Sequence, residues 1–328
     1  MKVSILGAGS WGTALAIHLA RSGHAVVLWG RDAEVAATIA RDRRHPRRLA
    51  DIPIPHGVGA TSNLPRAFDF SETIVLAVPC AAMREVLGAL PDADGRLLRF
   101  VSTAKGIEPD TLKRMSEIVL ERYPSSDVAA LSGPTFAEGV ARGDPSAAVI
   151  AGRGEAFARD LQENFSNSQL RLYSSSDVIG VELAGALKNV IAIAAGIVSG
   201  LGFGHNTLAA LVTRGLAEVG RIVRACGGEM KTVHGLAGIG DLMLTATGRQ
   251  SRNRHLGEEI GRGGRLAEVL IRMPEVAEGA RTCLAVPTIA RRVGVEAPIS
   301  EVVVQVLYEG LEPREGVEQL MTRTLRPE

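Results

Sequence analysis

The chain has 328 residues, enough for two domains and a large core. Lys and Arg number 37 against 36 Asp and Glu, a formal charge of +1, so no global field recruits nucleic acid or a membrane surface. The three cysteines, Cys80, Cys226 and Cys283, lie far apart with no CxxC and no nearby histidine pair, which excludes a disulfide framework or zinc site and points to reduced thiols in the cytoplasm; no metal is expected.

The chain opens into an apolar run without a charged leader, so no signal peptide is expected. Val3-Ser-Ile-Leu6 reads as a strand buried in a parallel sheet. It leads into Gly7-Ala-Gly9-Ser10-Trp11-Gly12, then Thr13–Ala20 at helical spacing and a second strand, Ala25–Trp29. That is G-x-G-x-x-G in its strand–turn–helix–strand setting, a dinucleotide-binding pattern. Gly7 makes the tight turn, Gly9 lets a pyrophosphate approach the backbone, Gly12 lets helix and strand pack, and the helix N-terminus faces the phosphates. The second strand ends Trp29-Gly30-Arg31-Asp32; Arg31 favours a 2′-phosphate and hence NADPH, while Asp32 keeps NADH possible. The basic run Arg41–Arg48 reads as a solvated loop.

Further βα units follow. Strands are expected at Thr73–Val78, Leu97–Val101, Val128–Leu131 and Ala147–Ala151, with a helix over Ala81–Leu90. Two loops leave strand carboxyl ends, where ligands of open α/β sheets gather: Ser102–Gly106, with Lys105, and Ser132–Ala137, with Gly133 and Thr135. From Val178 onward helices dominate. The fold class is therefore α/β: an N-terminal Rossmann-type parallel-sheet domain over residues 1–178 and an all-α C-terminal domain over 179–328.

Val181–Gly200 is apolar on every side, so as a helix it is buried all round, yet Lys188 and Asn189 sit in its middle. Ala184, Gly185, Ala192, Ala195 and Gly196 clear most of the bulk from the face carrying Lys188. Either the amine salt-bridges, or something small and polar docks there. The Val190–Phe203 run is too short and too glycine-interrupted for a bilayer, which takes roughly 20 residues, so no membrane insertion is expected. Gly200–Gly204 breaks the helix, and Asn206 or Thr207 caps the next, Leu208–Cys226. Then come the glycine-rich His234–Asp241 stretch, Thr245, and Ser251-Arg252-Asn253, where a guanidinium and an amide suit a phosphate; on pattern alone Arg252 equally suits a surface salt bridge and Asp241 a helix cap. Helical patterning resumes at Glu278 and runs to about Tyr308.

Together these residues resemble the bacterial-type NAD(P)-dependent glycerol-3-phosphate dehydrogenases over almost the full length. The resemblance rests on GAGSWGTALA (7–16), KGIE (105–108), LSGPTFA (131–137), ELAGALKNVIAIAAG (182–196), GFGHNTLAALVTRG (202–215), GLAGIGDLMLT (235–245), SRNRHLG (251–257) and VAEG (276–279). It implies a Rossmann domain followed by a helical domain like that of 6-phosphogluconate dehydrogenase, NADP or NAD as cofactor with NADPH favoured, a homodimer, and interconversion of dihydroxyacetone phosphate and sn-glycerol 3-phosphate for glycerophospholipid synthesis. By the same resemblance Gly7, Gly9, Ser10, Trp11, Gly12, Arg31, Ala137, Val276 and Glu278 contact the cofactor, and Lys105 and Arg252 contact both cofactor and substrate. Gly133, Thr135, Lys188, Asn189, Asp241, Thr245, Ser251 and Asn253 line the substrate pocket, with Lys188 as catalytic proton donor and acceptor, assisted by Lys105 and Asp241. Burial and Lys105 are expected to push the Lys188 pKa down and Asp241 to resist. Gly139, where an acid is common, and the density of arginine in 41–48 depart from the pattern. Alternatives are a 3-hydroxyacid or ketopantoate-type reductase, against which the SRN and GLAGIGDL segments speak, and a non-catalytic NADPH sensor, which has no use for Lys188.

Overall fold

The computed structural model describes residues 1–273 and 276–324 and divides into two compact units. Residues 1–104 and 113–181 form the first; residues 105–112 and those from Glu182 onward form the second.

The first unit runs β1 (Lys2–Leu6), α1 (Ser10–Arg21), β2 (Ala25–Trp29), α2 (Ala33–Asp42), β3 (Val58–Thr61), α3 (Leu64–Phe70), β4 (Thr73–Leu76), α4 (Cys80–Gly88), β5 (Arg99–Ser102), α5 (Met115–Arg122), β6 (Asp127–Ser132), α6 (Ala137–Arg142), β7 (Ser146–Gly152), α7 (Glu155–Phe165) and β8 (Leu170–Ser175). The strands make one sheet in the order β3-β2-β1-β4-β5-β6-β7-β8, parallel except for the antiparallel β6–β7 pair. The central strands are short continuous apolar runs because both faces are covered. Val3, Ile5, Val75 and Val101 face a cluster with Leu15 and Leu19 of α1, while Leu6, Ile74, Leu76 and Phe100 face Phe68, Met83 and Ile118. Strand order reverses between β1 and β4, and the glycine-rich turn leaves β1 at that reversal, where ligands of such sheets bind.

Two edge strands, β3 and β8, were not expected from sequence. The first is four residues long with Gly59 inside it, and the second alternates buried and exposed residues. The basic run is exposed at Arg41, Arg44 and Arg47, as expected of a solvated loop, but departs from it at Arg43 and His45. Arg41 and Asp42 complete α2, Arg43 donates to the carbonyls of Ile54, Pro55 and Val58, and His45 is buried.

The second unit comprises α8 (Val178–Gly200, whose first turn precedes it), α9 (His205–Ala225), α10 (Met230–Val233), α11 (Asp241–Thr247), α12 (Arg252–Gly261), α13 (Leu266–Arg272), α14 (Glu278–Arg292), α15 (Pro298–Val304) and α16 (Pro313–Met321). Leu236–Gly240 and Gln305–Glu309 are π turns. By length and composition α8 could cross a membrane, so it is longer than the run read from sequence; 94% of its most apolar window is buried inside the protein. Gly204 stands at the N-cap of α9, in place of the expected Asn206 or Thr207.

Glycines let α8 and α12 meet backbone to backbone. A Cβ built on Gly196 would lie 2.1 Å from the Arg254 carbonyl oxygen, and one on Gly200 2.3 Å from that of Glu258. Gly257 and Gly261 answer from the other side, 2.0 Å from Ile193 O and 2.4 Å from Ile197 O. The small residue at 196 therefore admits a neighbouring helix, rather than a ligand.

Candidate active site

In the first unit, the Gly7 amide donates to the Trp29 carbonyl at 2.9 Å, closing the turn after β1. Gly7 has φ +122°, and a Cβ there would sit 2.5 Å from Ala77 O; one on Gly12 would sit 1.9 Å from Gly7 O. Only glycine fits either place. Gly9 differs: nothing lies within 4 Å of a Cβ built on it. It is the N-cap of α1 and supplies no side-chain bond, so the amides of the first turn face an open side. This arrangement fits a pyrophosphate. Ser10 and Trp11 open α1, and Arg31 is exposed just past β2 with no carboxylate partner among the described residues. Asp32 is turned toward its own chain: one carboxylate oxygen accepts the amides of Glu34 and Val35 as the N-cap of α2, and the other pairs with Arg47.

Gly133 follows β6, and a Cβ on it would lie 2.7 Å from Ala148 Cα; the Thr135 hydroxyl donates to Gly133 O at 3.3 Å. Ala137 begins α6. Gly139 faces the Asp144 carboxylate, 3.2 Å from a built Cβ, so an acid there would meet like charge.

In the second unit, Asp241 is the hub. The π turn Leu236–Gly240 delivers it as the first residue of α11, and Gly238 packs onto the Val233 carbonyl so tightly that a Cβ would lie 2.0 Å away. Its Oδ2 accepts from Lys105 at 2.6 Å and its Oδ1 from Lys188 at 3.0 Å. The Thr245 hydroxyl spends its hydrogen on the Asp241 carbonyl at 2.7 Å, so its oxygen accepts from Lys188 at 2.5 Å. Among the described residues Lys188 thus uses two of its three N–H groups and keeps one. Asn189 donates to the Lys105 carbonyl at 3.0 Å, tying down the segment that carries that lysine. No local signal in the sequence linked these two residues, which stand 84 apart.

Ser251 caps α12, accepting the Arg254 amide at 3.2 Å. Asn253 accepts the Gly279 amide at 2.9 Å through its oxygen, so its N–H₂ takes no part in that bond. A Cβ on Gly279 would lie 2.7 Å from Asn189 O and 2.8 Å from Asn253 Oδ1, so the glycine after Glu278 seats α14 against both asparagines. Arg252 is exposed at the start of α12, and Val276 is 48% exposed ahead of α14.

Burial drives the Lys188 pKa down from 10.5 to about 8; Asp241 resists, and the charges of Lys105 and Arg252 add to the fall. Burial pushes the Asp241 carboxyl up, but the charges of Lys105 and Lys188 and the bonds from both outweigh it and hold it below the ordinary carboxylate value. Lys188 is 6% and Asp241 2% exposed. Two cations on one carboxylate, with the charge of Arg252 also felt at Lys188, leave a positive excess, which suits an anionic ligand. Among the described residues no group of His, Cys, Asp or Glu could hold a metal ion.

The sequence profile described as NAD-dependent glycerol-3-phosphate dehydrogenase N-terminus matches residues 2–158, and the corresponding C-terminus profile matches 177–318. The chain belongs to this family. It is 47% identical over 333 residues to the glycerol-3-phosphate dehydrogenase [NAD(P)+] of Pelodictyon phaeoclathratiforme, covering 100% of this chain and 99% of that one. The crystal structure of glycerol-3-phosphate dehydrogenase from Coxiella burnetii superimposes with a TM-score of 0.92 at 36% identity, over 98% of this chain and 99% of that one. A ketopantoate reductase from Ralstonia eutropha, at 16% identity and a TM-score of 0.59 over 98% of this chain and 100% of that one, shares the fold alone. The family is one of nicotinamide-dependent oxidoreductases, and NAD or NADP is its coenzyme. The open side of Gly9 and the uncapped first turn of α1 are the features here that fit such a group.

Proposed function

We propose that the protein interconverts dihydroxyacetone phosphate and sn-glycerol 3-phosphate, working toward the glycerol phosphate that glycerophospholipid synthesis consumes. Residues 1–178 hold the dinucleotide and 179–328 the substrate, in a cytoplasmic homodimer. The observation that carries the reading is Lys188: a buried amine with a pKa near 8, fixed by Asp241 and Thr245, with one N–H left to give.

Bound nicotinamide supplies the hydride for the C2 ketone. Lys188 directs its remaining N–H at the ketone oxygen, stabilises the growing negative charge, and gives up the proton. A pKa near 8 suits that transfer and its reversal at neutral pH. Asp241 holds the ammonium in place, and Lys105 on its other oxygen keeps that carboxylate charged. Arg252 and the N–H₂ of Asn253 anchor the phosphate, converting remote binding into orientation at the carbonyl. The glycine turn of α1, with Ser10, Trp11 and Arg31, holds the adenine half of the coenzyme.

The test is loss of NADPH absorbance with dihydroxyacetone phosphate, beside a panel of 2-oxo and 3-oxo acids. Turnover of the phosphate alone is expected. Turnover of an oxo acid in its place, or of nothing, sinks the reading.

A further inference from the structure

The arginine-rich segment after α2 has no place in the chemistry above, yet it is built onto the coenzyme-binding turn. His45 is 2% exposed. Its Nδ1 lies 3.2 Å from the Arg47 amide and 3.1 Å from the Arg48 amide. Backbone N–H groups can only donate, so Nδ1 accepts, and the proton sits on Nε2, which donates to Ala8 O at 2.9 Å. One neutral imidazole thus pins the backbone of Arg47 and Arg48 to the residue between Gly7 and Gly9. Arg48 reaches the Ser10 hydroxyl at 3.4 Å, and Arg47 pairs with Asp32.

An acid at the end of the second strand of this fold accepts the ribose 2′-hydroxyl of NAD, whereas a guanidinium there accommodates the 2′-phosphate of NADP. This chain has both, side by side. The structure resolves the conflict, because Asp32 has one oxygen on the α2 amides and the other on Arg47, while Arg31 has no carboxylate partner among the described residues.

We propose that Arg47 is a specificity-determining positioning residue: by occupying Asp32 it withdraws the one carboxylate that would favour a free 2′-hydroxyl and repel a 2′-phosphate, so the site prefers the phosphorylated dinucleotide. The inference rests on the dinucleotide reading of the glycine turn. Arg47 acts through Asp32 and does not itself grip the ligand. His45 makes the arrangement rigid, since the arginines it holds cannot drift from the turn without breaking two backbone bonds.

The experiment is direct binding, by fluorescence or calorimetry at fixed ionic strength, of NADPH, NADH and adenosine 2′,5′-bisphosphate to the wild type and to Arg47→Ala, Arg47→Lys, Asp32→Asn and Arg47→Ala/Asp32→Asn. The wild type should prefer NADPH. Arg47→Ala should shift the NADPH-to-NADH affinity ratio about tenfold toward NADH, as expected when one charged hydrogen bond is gained and one repulsion exposed. It should weaken adenosine 2′,5′-bisphosphate in parallel. Arg47→Lys should keep the wild-type ratio, Asp32→Asn alone should leave it nearly unmoved because asparagine still caps α2, and the double variant should lose the NADH gain. A ratio unchanged in Arg47→Ala overturns the proposal, as does Asp32→Asn alone moving the ratio as far as Arg47→Ala. If the wild type binds neither dinucleotide, the functional reading itself falls; binding with an immobile ratio removes only the role of Arg47.

Discussion

Gly257 of α12 and Ile193 of α8 touch through their backbones: a Cβ on the glycine would lie 2.0 Å from the isoleucine carbonyl oxygen. That contact, with its three glycine companions, fixes the spacing between the helix that carries Lys188 and the helix that begins with Arg252. Gly257→Ala must push the two apart, because the atom it strikes is main chain and cannot rotate away. Overpacking of this sort costs about 1–3 kcal/mol. Thermal unfolding should drop by about 3–8 °C. KM for the phosphorylated substrate should rise as well, since Arg252 shifts relative to the amine. A melting point equal to wild type would show that the helices are not in this contact.

Lys188→Ala removes the donor aimed at the developing oxyanion. Loss of such a group costs on the order of 3–4 kcal/mol, so kcat should fall at least about a hundredfold with coenzyme binding intact. Lys188→Arg should not restore it, because a guanidinium does not release its proton near neutrality. Turnover near normal in either variant removes Lys188 from the chemistry.

The pH profile follows from the sign of the Lys188 shift. Burial lowers its pKa to about 8, so the ammonium needed for reduction is present below that value and lost above it. In the free enzyme kcat/KM for ketone reduction should be level on the acid side and decline as pH rises through about 8, whereas oxidation of the alcohol should climb through the same point. Asp241 holds the pKa up. Asp241→Asn should therefore move both inflections to lower pH, and an inflection that stays put would assign it to another group.

Arg252→Ala should act mainly on binding. Arg252 is exposed at the first position of α12 and carries no part of the Lys188 bond set. Its loss should raise KM for the phosphorylated substrate at least tenfold, the scale of a charge-assisted hydrogen bond, with a smaller effect on kcat. Inorganic phosphate as a competitive inhibitor should weaken in parallel. Unchanged KM and unchanged phosphate inhibition would place the phosphate elsewhere.

Local pattern revealed much of this architecture, and its gaps have physical causes. Six strands were readable because buried parallel strands are continuous apolar runs; β3, with Gly59 in its four residues, and β8, half exposed on an edge, lack that character. Lys188 stood out because charge inside an apolar helix is anomalous. The meaning of its small neighbours did not, because Gly196 serves a helix that lies some 60 residues onward and whose own glycines look unremarkable alone. The bond from Asn189 to Lys105 O and the pairing of Arg47 with Asp32 are likewise long-range, and Asp32 read by itself looks available. The basic run is solvated at Arg41, Arg44 and Arg47, as its sequence suggests, but density of charge hid that Arg43 spends its guanidinium on backbone carbonyls and that His45 is buried.

Residues 105–112 lie in the chain between β5 and α5 but group with the helical unit. This has a consequence for how such enzymes can be shuffled. A single crossover near Glu182 between two related genes would take Lys188 and Asp241 from one parent and Lys105, the other occupant of that carboxylate, from the second. Exchange of the helical half as a working whole needs three breakpoints, and chimeras made with one inherit a charge constellation that neither ancestor assembled.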